Sequence, residues 1–164
     1  MKLIDFDIDS IEARGEFKEL LRDYLKEIFE ENDVIISEDL VNQGLVEIIG
    51  NLESDLRIWV YLCYEGEKAI GFVIAQIDEI GGQWCLKPGY GLIREFYITP
   101  EYRRKGFGKE MYLFMEGILR KEEVKIIYLT TDSAVGVGFW QSQGYKFTGE
   151  ICSLNNSGVF EKAL

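Results

Sequence analysis

The chain has 164 residues, enough for one domain spanning 1–164 with a real core. Its 18 basic and 29 acidic side chains leave a formal charge of −11, which argues against a nucleic-acid partner and suits either plain solubility or a cationic substrate. With no histidine and three cysteines (Cys63, Cys85, Cys152) far apart, a His-dependent triad, a zinc site and a disulfide framework have no support.

Residues 1–8 alternate, Leu3 and Asp5 against Ile4, Phe6 and Ile8, and predict a short strand. They lack signal-peptide anatomy, and no apolar run reaches bilayer length, so the expectation is a cytoplasmic protein with no membrane partner. Residues 16–30 predict a helix, with Phe17, Leu20, Leu21, Tyr24, Leu25 and Ile28 on one face. Ser37 predicts the N-cap of a second helix with Leu40, Val41, Leu45 and Ile48 inward; Gly44 weakens it and Gly50 suits its end. Strands over 57–64 and 69–77 flank the loop Glu65-Gly66-Glu67-Lys68 and predict a hairpin. Residues 78–91 read as a loop carrying Trp84 and Tyr90.

Residues 92–98 form the next predicted strand. Then follow Pro100-Glu101-Tyr102-Arg103-Arg104-Lys105-Gly106-Phe107-Gly108-Lys109, and an apolar stripe of Phe107, Met111, Phe114, Met115 and Ile118 marks a helix. A strand, a basic glycine turn and a helix N-terminus together suit an anion, because free amides and the positive dipole end converge there. Neither a P-loop nor a dinucleotide fingerprint fits: Glu110 follows Lys109, and Met111 stands where a third glycine belongs. The apolar run 125–131 predicts a parallel strand closing a right-handed βαβ unit. A short helix over 133–143 capped by Gly144, and strands over 145–153 and 158–163 joined at Asn155-Asn156-Ser157, complete the chain.

Arg103-Arg104-Lys105-Gly106-Phe107-Gly108 resembles the Arg/Gln-x-x-Gly-x-Gly/Ala signature of the GNAT superfamily of N-acetyltransferases. Phe139-Trp140-Gln141-Ser142-Gln143-Gly144-Tyr145 is similar to its Phe-Tyr-x-x-x-Gly-Phe segment at the usual separation. The resemblance implies an α/β fold of the acyl-CoA N-acyltransferase kind, a central mixed twisted sheet flanked by helices. It implies acetyl-CoA as co-substrate, an amine acceptor and no metal, and it is compatible with a homodimer. The backbone of Phe96, Tyr97 and Ile98 would pair with the pantetheine arm. The pyrophosphate would lie against Arg103, Arg104, Lys105, Gly106, Phe107, Gly108 and Lys109, with Ser133 and Trp140 completing the cofactor site. The loop 78–91 corresponds to a connection that can help form the acceptor pocket.

Glu95 is the candidate base, on the strand face of Ile93 and Tyr97, where an acidic residue recurs in the family; pairing with a neighbouring cation is the other reading. Two positions depart from the family pattern: Ser133 stands where Asn is common, and Trp140 where a Tyr often protonates the thiolate. An indole N–H donates a hydrogen bond but is no acid near neutral pH. Two functions follow: acetyl transfer to a small cationic amine, an aminoglycoside or a protein amine, or a catalytically weak acyl-CoA sensor.

Overall fold

The structure is a computed structural model describing residues 1–29, 36–54, 57–80 and 85–164. Trp84, Gly81, Gly82 and Glu30, each assigned above to a loop or helix, lie outside the described residues. The described elements are mixed α/β. In chain order they are β1 (Lys2–Asp5), α1 (Ile11–Phe29), α2 (Glu38–Leu52), β2 (Ile58–Glu65), β3 (Lys68–Ile77) and β4 (Gly91–Ile98). Then come a 3-10 turn (Pro100–Tyr102), α3 (Phe107–Lys121), β5 (Ile126–Thr131), α4 (Ala134–Ser142), β6 (Lys146–Ile151) and β7 (Gly158–Ala163). The strand order is β1-β2-β3-β4-β5-β7-β6.

β4 pairs parallel with β5 through Gly91↔Ile127 and Leu92↔Tyr128, which makes β4-α3-β5 the expected βαβ unit. β1–β2, β5–β7 and β6–β7 are antiparallel.

Several boundaries moved, and three did so for a reason visible locally. α1 begins at Ile11, because the Ala13 N–H donates to the Ser10 side chain at 3.2 Å; this cap lies about two turns ahead of the apolar face at Phe17. α2 starts where expected, with the Leu40 N–H donating to Ser37 Oγ at 3.2 Å, but it continues through Gly50 to Leu52. The β2–β3 hairpin is tighter than a four-residue loop, since Glu65 and Lys68 both belong to strands and Gly66 carries the turn at φ 62°.

Internal contacts divide the chain into two units. The first comprises Met1–Ile74 and Glu95–Met111. Its core is the inner face of α1 and α2 against the strands: Phe17, Leu20, Leu21, Val41, Val60, Leu62, Phe72 and Tyr97. Aromatic rings give it direction, with Phe17–Phe72 and Tyr24–Phe72 edge-on at 5.1 and 5.4 Å, geometries that add to simple burial. Gly71 is obligatory here, because a Cβ would lie 2.2 Å from the Tyr97 carbonyl oxygen.

The second unit comprises Ala75–Arg94 and Tyr112–Leu164. Leu92, Tyr128, Cys152 and Val159 form one buried cluster. Tyr112, Trp140 and Tyr145 form an edge-on aromatic group with centroids 5.4–5.8 Å apart. The buried stripe of α3 is Met111, Tyr112, Met115, Glu116 and Leu119, while Phe114 is 39% exposed, so the helix is turned slightly from the predicted face. Glu116 is tolerated inside because Tyr112 Oη, Arg120 and Lys162 all donate to it.

Candidate active site

The site begins where β4 ends. The Thr99 N–H donates to Ile70 O at 2.8 Å, fixing the strand end, and Pro100 opens the 3-10 turn with its φ already set. Residues 104–106 then turn the chain sharply, with Arg104 at φ 61° and Gly106 at φ 96°. Glycine carries φ 96° without strain, whereas the left-handed dihedral of Arg104 costs about 1–3 kcal/mol and persists only where neighbours hold it. The first backbone bond of α3 runs from Glu110 N–H to Gly106 O at 3.1 Å. The amides of Phe107, Gly108 and Lys109 therefore precede the helical ladder, at the positive end of the helix dipole. A Cβ built on Gly106 meets nothing within 4 Å, so the backbone there can be approached closely. Arg104, Lys105 and Lys109 are exposed around it. Amides, dipole, cations and open space make a cradle that fits a pyrophosphate.

Arg103 behaves differently from its neighbours. Its guanidinium forms a two-pronged pair with Glu27 of α1, at 2.8 and 2.6 Å, and its Nε donates to Ile98 O at 2.7 Å. The charge lies 5.5 Å over the Tyr97 ring. Glu27 holds the guanidinium pKa above its ordinary value, and burial, then Glu27 and Asp23, pushes the Tyr97 phenol up to about 12.

On β4, Ile93 and Tyr97 are buried with Glu95 half-buried between them, and Phe96 is half-buried on the opposite face. The Glu95 carboxylate accepts a hydrogen bond from Tyr24 Oη of α1. Tyr24 is in turn fixed by its ring contacts with Phe72 and Tyr97, the latter at 5.5 Å. The phenol, itself on a packed helix face, orients the half-buried carboxylate. Tyr24→Phe keeps the ring packing and removes the hydroxyl. It should lower kcat about tenfold with the acetyl-CoA KM unchanged. Steady-state kinetics check this, and an unchanged kcat would mean the phenol does not position Glu95.

In the second unit, Ser133 caps α4, accepting from the Gly136 N–H at 2.9 Å. Trp140 is 6% exposed, packed edge-on against Phe139, Tyr112 and Tyr145. The indole is thus part of a core, where a helix-face aromatic usually sits. Of the cysteines, Cys63 and Cys152 are buried; Cys85 is half-buried, its thiol pKa raised by burial and by Asp78. Burial raises the Cys63 thiol as well, so neither Cys63 nor Cys85 has the lowered pKa of a thiolate nucleophile.

The sequence model described as "Acetyltransferase (GNAT) family" matches residues 16–145. The chain belongs to the GNAT acetyltransferase family. Solved structures agree on the fold. The PaiA N-acetyltransferase of Thermoplasma acidophilum, crystallised in complex with coenzyme A, is 22% identical with a TM-score of 0.70, covering 100% of both chains. An acetyltransferase from Thermus thermophilus is 14% identical with a TM-score of 0.74, over 100% of this chain and 98% of that one. An aminoglycoside 6'-N-acetyltransferase complexed with coenzyme A is 13% identical with a TM-score of 0.73, over 99% of this chain and 97% of that one. No match to this chain is found among curated protein sequences.

Two residues that contact the candidate site of this GNAT chain, and one outside it, carry no motif. Tyr24 and Glu27 read only as one core position and one solvated acid of an amphipathic helix; their spacing of three, which puts them side by side, is the signal that was present. Asp78, at the end of β3, reads as the start of a loop. It is 1% exposed and accepts from the Leu86 and Lys87 N–H groups, both at 2.9 Å, from Gln76 Nε2 at 3.2 Å and from Tyr128 Oη. With four donors it straps the loop in place and is no candidate base.

Proposed function

We propose that the chain transfers an acetyl group from acetyl-CoA to a primary amine by direct attack within a ternary complex. The single observation that supports this reading is that one strand–turn–helix unit carries free helix amides, exposed cations and a carboxylate held by a phenol. Acetyl-CoA supplies the activated thioester; the chain supplies grip, placement and a proton acceptor. The amides of residues 104–109 bind the pyrophosphate, with Arg104, Lys105 and Lys109 adding long-range attraction that salt screens. The backbone of Phe96, Tyr97 and Ile98 pairs with the pantetheine arm as an added strand, which sets the thioester carbonyl beside Glu95. Glu95 takes a proton from the incoming ammonium, directly or through one water, so that a free nitrogen lone pair attacks the carbonyl. The carbon–nitrogen bond forms, the carbon–sulfur bond breaks, and the sulfur leaves as a thiolate that takes its proton from solvent. Ser133 and Trp140 support α4 by capping and packing.

A solved GNAT relative described as PaiA N-acetyltransferase and another described as an aminoglycoside 6'-N-acetyltransferase both hold coenzyme A, which supports the choice of co-substrate. The net charge of −11 favours cationic acceptors such as polyamines, aminoglycosides or lysine-rich proteins. The setting of Cys85 supports direct attack over an acyl-cysteine route. Initial-velocity patterns with both substrates varied test the ternary complex: intersecting lines are expected, and parallel lines would replace direct attack by a covalent acyl-enzyme. A second reading is acyl-CoA binding without useful turnover: by the motif resemblance, Trp140 stands where family members often have the Tyr that donates a proton to sulfur.

A further inference from the structure

We propose that Arg103, although it opens the basic turn, does not bind the cofactor by its charge; it is a positioning residue that, with Glu27, holds the cradle in its binding geometry. This rests on the reading of residues 104–109 as the pyrophosphate site. Three contacts carry the inference. The guanidinium grips Glu27 with both terminal nitrogens, and its Nε reaches back to Ile98 O, the last residue of β4. Its face lies over Tyr97, itself 4% exposed. These contacts use the guanidinium's planar fork and its face together. The residue that follows at once is Arg104, in the left-handed conformation at φ 61° that an unheld side chain-bearing residue leaves readily.

The clamp therefore fixes the peptide immediately ahead of the strained turn, and it ties that turn to α1. Glu27 lies one turn beyond Tyr24, so a single helix face holds both the Glu95 carboxylate and the cofactor turn. The exposed Arg104, Lys105 and Lys109 are left as the cations that meet phosphate.

The test turns on a sign. Removing a negative charge beside an anion site strengthens anion binding on electrostatic grounds. If Glu27 holds the clamp, Glu27→Gln instead weakens coenzyme A binding, roughly three- to tenfold for a partly exposed pair. Calorimetry with coenzyme A on the wild type, Glu27→Gln, Arg103→Gln and the double variant reads this, with thermal melting to confirm folding.

The expected result is a similar loss in all three variants, non-additive in the double because each substitution breaks the same clamp. The salt dependence of affinity stays at the wild-type slope, and the change in turnover appears in the acetyl-CoA KM rather than in kcat. Arg103→Lys does not restore affinity, since an ammonium cannot span Glu27 and Ile98 O at once. Unchanged or tighter binding in Glu27→Gln, or a shallower salt dependence in Arg103→Gln alone, would overturn the proposal and make Arg103 a phosphate ligand. Wild-type protein that fails to bind coenzyme A would instead sink the cofactor reading itself, so the two failures are distinguishable.

Discussion

Glu95→Gln lowers kcat by about 10²–10⁴-fold, the usual contribution of a general base, while coenzyme A affinity stays at the wild-type value. The variant is nearly isosteric, and its amide oxygen still accepts from Tyr24 Oη, so the packing of Tyr24 against Phe72 and Tyr97 is kept. What is lost is the ability to take a proton from the ammonium. Steady-state kinetics with both substrates varied separates the outcomes. A loss confined to the acceptor KM makes Glu95 an orienting group. No change in either parameter moves the base elsewhere; Asp78 is a poor replacement, because four donors already surround its carboxylate.

The second large effect concerns the cradle. Gly106→Val weakens coenzyme A binding by about 10- to 100-fold, the equivalent of one charge-assisted hydrogen bond of roughly 1.5–3 kcal/mol. Two causes add. At φ 96° a β-branched residue is strained, so the turn relaxes and the amides of residues 107–109 lose their alignment. The new side chain also projects into the open space where a phosphate would approach, since nothing of the protein lies within 4 Å of that Cβ. Gly66→Val is the matched control: Gly66 has φ 62° and equally open surroundings, but it sits in the β2–β3 hairpin. Calorimetry should show near wild-type affinity for folded Gly66→Val. Equal affinities for the two variants would remove the cradle from residues 104–109.

The strand–turn–helix was legible because several local signals coincide on one short stretch: alternation in residues 92–98, cations beside Gly106 and Gly108, and helical spacing from Phe107. Each is set by residues adjacent in sequence, and the turn formed as read. Ser37 was legible as a cap for the same reason, meeting an amide three residues on, whereas the cap that Ser133 forms was not read from the sequence. What sequence does not display is pairing at a distance. Tyr24 reaches Glu95 and Glu27 reaches Arg103 across 71 and 76 residues, contacts created by the packing of α1 on the sheet. The ring of Trp140 is a further case. The motif gave its place on the last helix, and its packing against Tyr112 and Tyr145 is again a contact between residues distant in sequence. Arg103 lies inside the motif, yet its side chain is taken by a partner that no motif contains.

The most direct test is to incubate the protein with acetyl-CoA and a panel of polyamines, aminoglycosides and lysine peptides. The mass of each acceptor and the free thiol released are measured together. Acetyl transfer predicts that at least one acceptor gains one acetyl group for each coenzyme A freed, that thiol release without acceptor stays at background, and that Glu95→Gln suppresses both signals. Tight coenzyme A binding with every acceptor unmodified would contradict transfer and leave a protein that senses acyl-CoA without using it.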